Sequence, residues 1–197
     1  MADISEATLW KALRQLHPRQ SLDWADRVVA QIKERAGLLV EREPGIYTFP
    51  HRTFQEYLAG SHLSVQVDFP TQAALLVSEA AFWREVVLLA VGRQVHVMGD
   101  VSRPLALAAE LCPAACVDDD ACWRQAWLAG EVLHETGVNR VGQSQQGRDL
   151  LERIRERLCA LVEGGHLAAR ERAEAGDRKS TRLNSSHEVP SRMPSSA

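Results

Sequence analysis

Between Phe49 and Gly60 the chain reads FPHRTFQEYLAG, and a few of these side chains have chemistry to offer. His51 follows Phe-Pro where a helix begins. Its imidazole can donate a hydrogen bond to an anion, with a charge adjustable near neutral pH. The plainer reading is a helix-start histidine whose ring is satisfied by neighbouring backbone. Gln55 and Glu56 suit hydrogen bonding across an interface better than catalysis. Phe54, Tyr57 and Leu58, at i, i+3 and i+4, read as a core-facing stripe.

The other candidates resolve toward packing. Cys112, Cys116 and Cys122 are spaced C-x3-C-x5-C, with Cys159 further on, and lack the paired C-x2-C knuckles of structural zinc sites. In a cytoplasmic chain they are expected to stay reduced and to pack as small apolar residues. Asp118, Asp119 and Asp120 could hold a cation, but three acids ahead of a helix are favoured by its dipole. Trp123 and Trp127, one turn apart, could form an exposed ligand platform; burial between helices is the expectation. His96, His134 and His166 show no ligand spacing such as H-E-x-x-H, so no metal site is expected. An enzyme with a cysteine or metal centre lacks a paired base or a ligand set.

The elements that carry these residues follow from periodicity. Residues 4–16 place Ile4, Leu9, Leu13 and Leu16 roughly on one helical face, and His17-Pro18 ends the helix. Residues 21–37 open with a Ser or Asp cap, carry Trp24, Val28, Ile32 and Val29 near one stripe, and close at Gly37. Residues 38–43 and 46–49 are strand-like runs joined by Pro44-Gly45, which predicts a small hairpin. Residues 51–65 form the next helix, started by a Thr53–Glu56 capping box or by His51 itself. Helix, helix, two-stranded wing, helix is the plan of a winged-helix-like module. Helices are then expected at 69–80, 81–97, 102–112, 118–137, 144–165 and 167–176, joined by Gly- or Pro-bearing turns in the manner of an α-solenoid.

With 197 residues, 45% apolar and 25% charged, the chain can bury a substantial core. A net charge of −3 favours neither nucleic acid nor an anionic membrane surface. No apolar run is long enough to span a bilayer, and MADISEATLW lacks the positive start of a secretory signal. A cytoplasmic location is expected, with no membrane partner. From Asp177 the composition shifts to a serine-rich stretch without apolar periodicity, which predicts a disordered tail. Within it DRKSTRLNSSH and SRMPSSA resemble translated sequencing-adapter DNA, in the right order and frame. Residues 177–197 are therefore read as an assembly artefact, with the genuine chain cut off near Gly176.

RAGLLVEREPGIYTFPHRTFQEYLAG, residues 35–60, resembles the close of the winged-helix domain in NACHT-type, signal-transduction (STAND) NTPases, whose members carry sGLLvEr…yxFxHrtFQEYLAA. The matching positions are Gly37, Leu38, Leu39, Glu41, Phe49, His51, Phe54, Gln55, Glu56, Tyr57 and Leu58. Gly60 stands where the family usually has alanine, a helix-interior change costing ~1 kcal/mol. FWREVVLLAVGR (82–93) resembles the helix that begins the sensor array in bacterial members. Residues 155–176 resemble the helical repeat that precedes a formylglycine-generating-enzyme-like domain in many of them.

The resemblance implies three regions: residues 1–66 as the winged-helix end of a NACHT module, 67–176 as a HEAT-like sensor array, and 177–197 as the tail. It implies that His51 reaches the phosphates of bound ADP and holds an inactive state closed. The sequence contains no G-x-x-x-x-G-K-[ST], so no phosphate cradle. In the family that part lies upstream. This chain is thus expected to be a fragment without enzymatic activity or bound cofactor, while the parent binds ATP or ADP with Mg. Its expected partners are the missing N-terminal nucleotide-binding domain and an unidentified sensed ligand or protein. The runner-up is a stand-alone winged-helix regulator that binds DNA. Its recognition helix, 51–65, offers Arg52 as the only fixed positive charge, beside Glu56, where phosphate neutralisation needs several.

Overall fold

The computed structural model describes residues 3–16, 19, 21–32, 39–115 and 117–173. The expected helix ends at His17-Pro18 and Gly37, the motif residue Leu38, Cys116 and the 177–197 tail lie outside them. The described residues are mainly helical with one small antiparallel sheet, and they divide into two compact units, Met1–Leu58 and Ala59–Ala197.

In the first unit, β1 (Ile4–Ser5) leads into α1 (Glu6–Leu16), followed by α2 (Leu22–Gln31), β2 (Val40–Glu43), β3 (Ile46–Thr48) and the start of α3 (Arg52–Ser64). Local chemistry sets each start. The Ser5 hydroxyl oxygen accepts the Thr8 N–H at 3.3 Å, and Ser21, not Asp23, caps α2 by accepting from the Trp24 N–H at 3.3 Å. Pro44-Gly45 turns the chain between β2 and β3 as expected. Gly45 has φ +74°, a conformation glycine adopts without steric cost, and its N–H donates to the Glu41 carboxylate at 2.9 Å.

The sheet has three strands in the order β1-β3-β2, one more than the hairpin expected, with Ile4 opposite Tyr47. Ile4 belongs to this edge strand and not to the helix. A two-residue strand is too short to leave a period-two signature in the sequence. Leu9, Leu13, Ala25, Val29, Leu39 and Tyr47 form the buried core of this unit, with Trp10, Trp24, Val28, Ile32 and Phe49 packed on it. Leu16, expected on the same face as Leu9 and Leu13, is 73% exposed.

The second unit takes the remainder of α3 and adds α4 (Phe69–Glu79), α5 (Trp83–Gly92), a π-helical continuation (Arg93–Met98), α6 (Ser102–Leu111), α7 (Asp120–Thr136), the short α8 (Val138–Val141) and α9 (Gln145–Glu163); residues 169–173 are helical again. The cap residues are those that punctuate the sequence. Asp119 accepts from the Cys122 N–H at 2.7 Å to open α7, and Ser144 from the Gly147 N–H at 3.0 Å to open α9. Asp100 accepts from the Ser102 N–H at 2.8 Å ahead of α6, and the Ser102 hydroxyl, also bonded to it, holds its carboxyl below the usual range. Helix α7 is the spine, packing on α5, α6 and α9. Ala126, Leu128, Ala129, Val132 and Leu133 of α7 meet Leu107 and Leu111 of α6 and Ile154, Leu158 and Leu161 of α9 in one continuous core. Burial of that apolar area, at about 25 cal/mol per Å2, is what holds the layers together.

The tryptophans pack as expected. Trp123 is 5% and Trp127 8% exposed. The Trp123 indole N–H donates to Asp118 at 2.8 Å, so the acidic run serves the start of α7. The cysteine expectation needs a correction. Cys112 is a buried free thiol and Cys159 a half-buried one, but Cys122 is disulfide-bonded. Pairing depends on Cα atoms lying within about 7 Å, and cysteine spacing along the chain does not report that distance.

Candidate functional site

The stretch from His51 to Gly60 straddles the entry into α3. Gly45-turned β3 delivers the chain through Phe49-Pro50 to His51, whose carbonyl accepts the Phe54 N–H at 3.1 Å to close the first turn. The imidazole is solvent-exposed, its ring centroid is 6.0 Å from that of Phe54, and no hydrogen bond engages it among the described residues. The plainer expectation, a ring satisfied by neighbouring backbone, is not met. His51 is presented outward. Glu56 makes a different bond from the capping box: its carboxylate takes the Arg52 Nε–H at 2.6 Å.

The clearest departure concerns Phe54, Tyr57 and Leu58. They are not core residues. Their exposures are 45%, 51% and 45%, while Gln55 and Glu56 between them are half-buried. The reason lies further along the same helix, where Gly60, Leu63 and Ser64 are the buried positions. A Cβ on Gly60 would sit 2.9 Å from the Val86 carbonyl oxygen and 3.0 Å from the Leu89 Cβ. A residue without a side chain is what permits this approach. At about 100° per residue, Glu56, Gly60 and Leu63 share one face, and Phe54 and Leu58 fall on the opposite one. The buried face of α3 thus carries Gly60, Leu63 and Ser64 toward its C-terminal end, and the aromatic residues at its start are left in water.

Arg52, the fixed charge that a DNA-reading α3 would rely on, is committed to Glu56. Two further histidines have close side-chain neighbours. His96 lies 3.0 Å from Glu135, and His166 stacks on Trp123 with centroids 4.1 Å apart. Among the described residues no group of three or more His, Cys, Asp or Glu side chains could hold a metal ion.

The order of elements, the three-stranded sheet with its wing turn, and an α3 that carries HRTFQEYL at its start fix the kind of module. Residues 5–63 match the family model described as the winged helix-turn-helix domain C-terminal to NACHT. This segment is the winged helix that follows NACHT. The match begins at the end of β1 and stops at Leu63, one residue before α3 ends, so the NACHT-associated winged helix takes in the whole exposed stretch. It does not cover an NTPase core. No curated protein and no solved structure gives a significant match to the chain.

One structurally prominent group escaped sequence reasoning altogether. Arg84, at the start of α5, forms an ion pair with Glu131, whose side chain is 1% exposed in the middle of α7. The signal was available: Glu131 interrupts the otherwise apolar AWLAGEVL, residues 126–133, and a charge in that setting requires a partner.

Proposed function

We propose that the chain is the regulatory part of a nucleotide-controlled switch. In this reading the winged helix closes over a nucleotide held by the preceding NACHT domain, and the helical unit is a HEAT-like sensor array of a STAND-type protein working in the cytoplasm, in signalling or defence. His51 donates to a phosphate of ADP and favours the closed state, and the parent binds ATP or ADP with Mg. The chain itself has no phosphate loop and hydrolyses nothing.

The observation that carries the proposal is the outward-facing apolar stripe at the start of α3. A helix that turns Phe54, Tyr57 and Leu58 outward, directly after an exposed imidazole, presents apolar area beside an anion-binding donor. Water gives such a surface no return; a domain that covers it while holding a phosphate does. The test is a double substitution, Phe54→Ser with Tyr57→Ser. In the full-length parent it is expected to release ADP that co-purifies with the unaltered protein. In the 197-residue chain it should leave the melting temperature within a few degrees. Unchanged ADP content in the parent would remove the support for domain closure over α3.

A further inference from the structure

After α9 ends at Glu163, residues 164–173 turn back onto the first turns of α7, within the second unit. Two glycines make the reversal. A Cβ on Gly164 would lie 2.6 Å from the His166 Nε2 and 2.8 Å from the Ala160 carbonyl oxygen, and Gly165 has φ +72°. Small residues side by side are also what a hinge uses to absorb a change of backbone angle. Beyond them the segment is tied to itself. The Arg172 guanidinium donates to the carbonyls of Gly165 at 3.0 Å and Leu167 at 2.7 Å. The Ala168 N–H donates to the Glu171 carboxylate at 3.1 Å, and the Arg172 N–H to the Ala168 carbonyl at 3.0 Å. A piece whose hydrogen bonds close on themselves can move without breaking them.

Its attachments to the helices beneath are near the surface. The His166 ring stacks on Trp123 with centroids 4.1 Å apart, and its Nδ1 lies 3.8 Å from the exposed Asp118 carboxylate. Glu171 pairs with Arg124 at 3.0 Å, where solvent screening leaves little net strength. Leu167, half-buried, packs against the core of the unit, and does so at φ +64°. A side chain held in that left-handed region is strained, and the strain persists only while its surroundings enforce it. Beneath the piece is a cavity of about 580 Å3. Arg170 and Glu171 form one side of it, opposite a largely apolar wall that includes Val77, Ala81 and Leu128.

We infer that residues 165–173 are a lid on this cavity, closed in the structure, which swings as one piece about Gly164-Gly165. Opening parts His166 from Trp123, Leu167 from the core and Glu171 from Arg124 together, and takes one wall from the cavity. The lid belongs to the helical unit and is independent of the nucleotide reading of α3, so either can fail alone.

The test is NMR relaxation dispersion on the 197-residue chain, which detects exchange between a major and a minor state on the microsecond to millisecond scale. It follows the Trp123 indole, the Leu167 methyls and the Glu171 side-chain carboxyl. A lid gives one exchange rate and one open population at all three, with flat profiles at Val132 and Leu133 in the middle of α7. Arg124→Gln removes one attachment and should raise the open population about two- to fivefold at all three sites, the scale of an exposed ion pair, with the melting temperature kept. Fraying from the chain end gives another pattern: rates and populations that differ from site to site, with Arg124→Gln acting at Glu171 alone. That pattern, or flat profiles at all three sites with and without Arg124→Gln, would overturn the inference.

Discussion

Phe54 marks how far residue type alone misleads. As a buried ring its loss would cost about 3–5 kcal/mol. At 45% exposure most of that penalty is absent, and Phe54→Ala in the 197-residue chain is expected to cost no more than about 1 kcal/mol, on the scale of surface substitutions. Leu13, 8% exposed in the core of the first unit, provides the contrast: Leu13→Ala should cost about 2–5 kcal/mol. Chemical denaturation of the two variants side by side checks this, and a larger loss at Phe54 than at Leu13 would contradict the placement of α3. The helix itself was legible, because FQEYL reads correctly as helical. Which face turns inward was not, since the i, i+3, i+4 apolar pattern says that three residues share a side and not where that side points.

The elements were more legible than their contacts. Helices α1 to α7 and α9 lie within a few residues of their expected spans because each carries a full apolar stripe bounded by caps such as Ser21, Asp119 and Ser144. Gly60 shows what the stripe leaves out. Against the family's usual alanine it looked like a small loss of helix propensity, yet the Val86 carbonyl oxygen would meet its Cβ at 2.9 Å. Gly60→Ala should therefore destabilise the chain by about 1–3 kcal/mol, the range for overpacking, where propensity alone would have it stabilise by ~1 kcal/mol. The sign of the change in melting temperature decides between them. A second contact between elements is pH-sensitive. The Arg124 guanidinium on α7 holds the Glu171 carboxyl below its usual 4.5. A carboxylate with a depressed folded value stabilises fully above its unfolded value and loses that contribution as pH falls through the folded one. NMR titration should find Glu171 protonating below 4.5 and moving up toward that value in Arg124→Gln. With the Arg124 side chain 49% and the Glu171 side chain 29% exposed, solvent screens much of the pair and the effect on overall stability is small.

At the scale of the whole molecule the sequence conveyed the plan, a winged helix followed by helices, and the family match at residues 5–63 agrees with it. Among the described residues no helix is long and apolar enough to cross a membrane. What pattern reading could not deliver were relations between distant residues, such as the Ile4–Tyr47 strand pairing and the Arg84–Glu131 ion pair. Periodicity is local, and each of these is settled by how the layers meet. The central claim also concerns two distant parts, α3 of the winged helix and a nucleotide on the domain before it. It is tested most directly by measuring ADP affinity in the full-length parent with and without His51→Ala. The switch reading predicts a loss of about 1.5–3 kcal/mol, the worth of one charge-assisted hydrogen bond, together with an unchanged melting temperature for the 197-residue chain, in which His51 is exposed. Unaltered ADP affinity in the parent, with a clear fall in the stability of the chain, would make His51 a structural residue and contradict the account.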